Sequence, residues 1–89
     1  MHDLNKEFRR IPGIGKKLAD ELIALGFKKV TDLRNEDPER MYHKLCKIRG
    51  AHIDRCVLYV FRCAVYFASE PNHKAHLLKW WNWKDKNKK

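Results

Sequence analysis

The sequence predicts an all-α protein of five or six helices. Three observations carry that reading. Apolar residues recur every three or four positions along almost the whole chain. Glycine and proline punctuate this pattern where helices would stop and start. No stretch alternates apolar and polar residues with the period of two that a half-buried strand needs.

Leu4, Phe8 and Ile11 stand four and three apart before Pro12 and Gly13 break the run, which gives a first helix. Leu18, Ala19, Leu22, Ile23 and Leu25 give a second, closed by Gly26 at the usual C-terminal position. Thr31 is placed to cap a short turn holding Leu33. Asp37 followed by Pro38 opens the next helix, a side-chain cap and then a proline whose missing N–H costs nothing in a first turn. Met41, Tyr42, Leu45 and Ile48 line that helix and Gly50 ends it. From Ile53 to Ala68 the chain is mostly apolar, interrupted as charge only by Asp54, Arg55 and Arg62. It is too long for an ordinary strand and reads as the central core helix. A weaker helix over about 74–80 leads into Trp81-Asn82-Trp83. The expected organisation is one domain over 1–83 with a basic tail over 84–89.

Eighty-nine residues with 44% apolar side chains and ten aromatics suffice for one packed core and leave little room for a large enzyme cleft. The 20 basic against 11 acidic side chains give a formal net charge of +9. The acidic excess is confined to 18–37, so the body stays basic without the tail and suits an anionic partner such as nucleic acid. No apolar run is long enough to span a bilayer. Met1 to Lys6 lacks the layout of a signal peptide, and three cysteines are an odd count, so a reduced, cytoplasmic chain is expected.

The most specific local signal is Phe8-Arg9-Arg10-Ile11-Pro12-Gly13-Ile14-Gly15-Lys16-Lys17-Leu18-Ala19-Asp20-Glu21-Leu22. One helix ends in Pro-Gly-Ile-Gly and another begins at once with two lysines. Glycines let the backbone turn tightly and bring its N–H groups near a ligand. Together with the unpaired donors and positive dipole end of the next helix they make an anion site. Ile14 points inward as a plug, and Ala19 is small enough for two helices to approach. A Walker loop would need glycine at Arg10 and a hydroxyl residue at Lys17, and a dinucleotide loop would need glycine at Leu18 after a strand. A tight interhelical turn with no ligand remains the alternative.

These residues resemble the helix-hairpin-helix motif, apolar-x-x-apolar-Pro-Gly-apolar-Gly-x-x-x-Ala-x-x-apolar, with Phe8, Ile11, Pro12, Gly13, Ile14, Gly15, Ala19 and Leu22 at its fixed places. The resemblance implies a compact helix-hairpin-helix (SAM-like) domain whose loop amides grip a DNA phosphate without reading bases. Carried over, the site is Gly13, Ile14, Gly15, Lys16 and Lys17, with Arg9, Arg10 and Arg49 as auxiliary contacts. Aligning Ile48–Cys56 with Ile11–Ala19, 37 residues apart, suggests a second, degenerate hairpin. There Gly50 matches Gly13, Cys56 takes the small position of Ala19, and Asp54 replaces a lysine, so that it caps its own helix and repels phosphate.

Nearly the whole chain, from Ile11 to Trp83, is also similar to the small bacterial proteins labelled pathogenicity-locus or mitomycin-resistance-like. A second similarity is to the C-terminal domain of the competence regulator TfoX, from which this chain departs in its fuller Pro-Gly-Ile-Gly. Neither label supplies a biochemical activity.

No catalytic residue, metal or cofactor is expected. Cys46, Cys56 and Cys63 with His52 could converge on zinc, but no Cys-x-x-Cys pair exists, and core packing is the simpler role. A cysteine nucleophile with His43 or His52 lacks an orienting third group and an oxyanion site. Trp80, Trp81 and Trp83 either staple the C-terminal segment to the core, dock a protein partner, or stack bases of a single strand. The expected function is sequence-nonspecific DNA binding through the loop. The alternative is a protein-interaction adaptor of the same fold.

Overall fold

In the computed structural model, which describes residues 4–84, the chain has four α-helices and three short 3-10 turns, with no strand among the described residues. The first helix, α1 (Leu4–Phe8), is shorter than its apolar spacing predicts. Ile11 still reaches the core, because the chain leaves α1 through tighter bonds from Ile11 N–H to the Phe8 carbonyl and from Ile14 N–H to the Ile11 carbonyl, both 3.1 Å.

The second helix, α2 (Lys16–Ala24), ends as its sequence requires. Gly26 adopts φ +102°, and the N–H groups of Gly26 and Phe27 return to the carbonyls of Ile23 and Leu22. The next turn, Val30–Leu33, is held by Asp32 rather than by Thr31: its carboxylate accepts the N–H groups of Lys28 and Lys29 at 2.9 and 3.0 Å. Those two bonds pull the Asp32 pKa below its ordinary 3.8. Glu7 of α1 ties the turn to the first helix by accepting the Val30 N–H at 3.0 Å.

The third helix, α3 (Pro38–Arg49), opens with Asp37 accepting the Glu39 N–H and ends at Gly50, φ +66°. The fourth, α4 (Cys56–Ser69), starts three residues later than predicted, capped by Asp54 through the Cys56 N–H at 2.8 Å. The predicted helix near 74–80 is instead two 3-10 turns, Ala75–Leu78 and Trp80–Trp83. Their bonds span three residues, and Asn82 closes on the His76 carbonyl, so no α-helical ladder is established. Among the described residues the count is therefore four α-helices, not five or six, because the short elements never complete an α turn.

Helix α1 packs on α2, and α3 packs on α4, while α4 also carries the 30–33, 75–78 and 80–83 turns. Phe8, Ile11, Leu22, Leu33, Leu45, Leu58, Phe61 and Cys63 are the largest fully buried side chains. The radius of gyration, 12.7 Å, is near the roughly 12 Å of a compact chain this long. Arg62 on α4 clasps the assembly, donating at 2.8 Å both to Glu39 at the start of α3 and to the Trp83 carbonyl. The predicted basic tail lies, beyond Lys84, outside the described residues.

Candidate functional site

The candidate site is the seven-residue passage from α1 into α2, residues 9–15, with the first turn of α2. Phe8, Ile11, Ile14, Ala19 and Leu22 all lie in the core, so the apolar places of the motif are packing places. Burying Ile14 turns the backbone on either side of it toward solvent. Gly13 takes φ +87°, a left-handed conformation that a side chain adopts only at a cost.

The two glycines serve different ends. A carbon added at Gly13 would stand 3.0 Å from Cδ1 of Trp80, so the indole approaches one side of this otherwise exposed residue and the missing side chain makes room for it. At Gly15 an added carbon would meet nothing within 4 Å. Gly15 has ordinary extended backbone, φ −95°, and precedes the first turn of α2 without contributing a side-chain cap. The N–H groups of a first helical turn have no acceptor within their own helix. Lys16 and Lys17 are exposed at that same turn, and Arg9 and Arg10 are exposed on the passage before it. Gly13, Ile14, Gly15, Lys16 and Lys17 are thus contiguous at one helix start, while Arg10 turns back to pair with Glu7 of α1 at 3.5 Å.

Arg49 belongs to a different arrangement. Its Nε donates to Glu21 of α2 at 3.0 Å and a terminal nitrogen reaches the same oxygen, so it ties the end of α3 to α2. The proposed alignment with the second loop does not extend to packing. Ile48 is 46% exposed where Ile11 is 1%, and Cys56 is exposed where Ala19 is fully buried. The cause is loop length: α4 begins 40 residues after α2, not 37, which moves Cys56 to the exposed helix start.

The cysteines are spread over three environments. Cys63 is buried, and desolvation pushes its thiol up to about 11. Cys46 is half-buried. Cys56 is exposed, its thiol raised mainly by its bond to Asp54. Among the described residues no three His, Cys, Asp or Glu side chains gather closely enough to hold a metal ion. No helix among them is long and apolar enough to cross a membrane.

The tryptophans divide likewise. Trp80 lies on Gly13, and the Trp83 indole donates to the Leu77 carbonyl at 2.8 Å, while Trp81 is 49% exposed. The close approach of Trp80 to Gly13 is the feature that sequence reasoning missed. The two residues are 67 positions apart, and nothing local marks the pairing.

Fold and site together define a small helical protein with a cationic helix start at a tight loop. The chain belongs to the pathogenicity-locus (Cdd1) family, whose match runs over residues 2–89. No curated protein and no solved structure matches it.

Proposed function

We propose that this protein is a helix-hairpin-helix module, related to the TfoX C-terminal domain, that binds the phosphate backbone of DNA without reading bases. The observation that carries the proposal is the start of α2: Gly15 is uncapped and sterically open, with Lys16 and Lys17 exposed beside it. A phosphate oxygen there accepts from first-turn amides, meets the positive end of the helix dipole, and is neutralised by two exposed cations. Arg9 and Arg10 extend the cationic surface. Arg49 acts by fixing α3 to α2. The loop contacts carry no base information, so binding follows backbone charge rather than sequence.

Fluorescence anisotropy of labelled duplex, nicked and single-stranded DNA across a salt series tests this. With two to four phosphate contacts, log K falls with log salt at a slope of about −2 to −4. Lys16→Glu with Lys17→Glu should abolish binding and leave the helical circular dichroism spectrum intact. Binding that survives this double change refutes the loop as the site. In the adaptor reading, docking through the tryptophans falls to Trp81, since Trp80 and Trp83 are engaged within the fold.

A further inference from the structure

A second surface lies just beyond the other end of α2. Leu25, Phe27 and Met41 floor a solvent-open cleft of about 780 Å³, and Arg40, Lys44 and Lys47 of α3 stand along its rim. These cations are spaced i, i+4 and i+7, so they form one stripe about 10 Å long on a helix rising 1.5 Å per residue. Among the described residues none of the three is in an ion pair, whereas Arg10, Arg49 and Arg62 are all paired. His43 also lines the cleft, and its single carboxylate is Glu36. Ile48, one turn beyond Lys44 on α3, is 46% exposed and stands next to the cleft rather than in its lining.

We propose that this cleft is a docking site for an acidic amphipathic helix of a partner protein. The charge complementarity is direct: three cations on two turns of α3 match carboxylates on two turns of a partner helix. The apolar component decides between classes of polyanion. A phosphate backbone has no use for Phe27 and Ile48 beside the cations, whereas an amphipathic helix sets an apolar face against them and its acidic flank against the stripe. Met41 in the floor suits such a surface, because an unbranched thioether adapts to differently shaped anchors. The surface is separate from the start of α2, so it stands or falls independently of DNA binding there.

The test uses the full 15N-labelled chain and synthetic helical peptides of about five turns (~18 residues), with leucines on one face and glutamates on the other. A small panel varies the leucine spacing. Each has a counterpart with glutamine for every glutamate, and a DNA duplex is titrated in parallel. At least one acidic peptide should shift the amides of Phe27, Arg40, Lys44, Lys47 and Ile48 saturably, with a dissociation constant of tens of micromolar, roughly. Its glutamine counterpart should bind at least tenfold more weakly, roughly the loss expected for several rim charges. Lys44→Glu with Lys47→Glu should lose a similar factor while keeping the wild-type melting curve. Lys16→Glu with Lys17→Glu should leave peptide affinity unchanged. The proposal is overturned if no peptide shifts these amides at about 1 mM. It is equally overturned if the shifts gather elsewhere, if the glutamine peptides bind as tightly, or if duplex DNA takes the cleft in preference to the peptides.

Discussion

Replacing Gly15 by aspartate should make the protein more stable and a worse DNA binder. The backbone at Gly15 is already extended, as in ordinary helix N-caps, and an added side chain meets nothing within 4 Å. An aspartate there can accept from a first-turn N–H, which is worth about 1 kcal/mol. Its charge on the helix dipole adds about 0.3–1 kcal/mol. Removing glycine's freedom from the unfolded chain adds about 0.4–1 kcal/mol. These contributions overlap, so about 1–2 kcal/mol is expected in total, a rise in Tm of about 5–10 °C for a domain of this size. The same carboxylate occupies the amides and stands about 4 Å from a bound phosphate. Repulsion at that distance is about 1–4 kcal/mol between bulk water and a protein surface, or roughly tenfold or more in affinity. Differential scanning fluorimetry and the DNA anisotropy titration read the two effects separately. Gly15→Asn, which caps without charge, should fall between wild type and Gly15→Asp in affinity. A raised Tm with DNA affinity within about twofold of wild type would place the phosphate elsewhere and refute the site.

The other predictions concern the supports of the loop and the titrating groups. Gly13→Ala should lower stability by about 1–3 kcal/mol in urea denaturation, from its left-handed backbone and the 3.0 Å approach to Trp80. In a Trp80→Ala background the same change should cost less, and equal costs would show that the indole does not rest on the loop. The lowered pKa of Asp32 means that its contribution is present above its ordinary 3.8 and lost as pH falls through the lower folded value. The stability gap between wild type and Asp32→Ala should therefore be full at neutral pH and shrink in acid, and a gap independent of pH would refute the capping role. Cys63, with its thiol at about 11, should resist alkylation until the chain unfolds, whereas exposed Cys56 reacts in the folded protein; mass spectrometry of native and denatured samples distinguishes them.

What the sequence made legible was local. The helical period, the Asp37-Pro38 start and the stops at Gly26 and Gly50 each depend on residues within a turn of one another, and each stands where those residues put it. The loop was legible for the same reason, since its glycines, its isoleucine plug and its lysines are contiguous. Errors arose where two states share one local pattern. A spacing of three residues fits an α-helix or a 3-10 turn, which is why Ile11 and the segment after Lys74 looked α-helical. Long-range facts left no trace. Neither the Arg49–Glu21 pair nor the contact of Trp80 with Gly13 has a signature in its own neighbourhood. The stripe Arg40, Lys44, Lys47 is visible as a spacing, but only the fold brings it beside Phe27.

The cations therefore cannot be treated as one basic surface, and the polarity of α2 shows why the two exposed groups suit different anions. Lys16 and Lys17 stand at the end of α2 where the helix dipole is positive, so amides and side chains attract the same charge and a bare phosphate suffices. The cleft lies beyond the opposite end, where the last carbonyls oppose an approaching anion. Carboxylates reach it with advantage only when apolar contacts on Phe27 and Ile48 offset that opposition. The nine residues of α2 span about 13 Å, more than the roughly 8 Å over which exposed charges act at physiological salt. Charge reversal at one end should then leave affinity at the other within about twofold, and only at low salt should the two ends feel each other. A loss of DNA binding in Lys44→Glu with Lys47→Glu at physiological salt would show instead that one polyanion spans both ends of the helix.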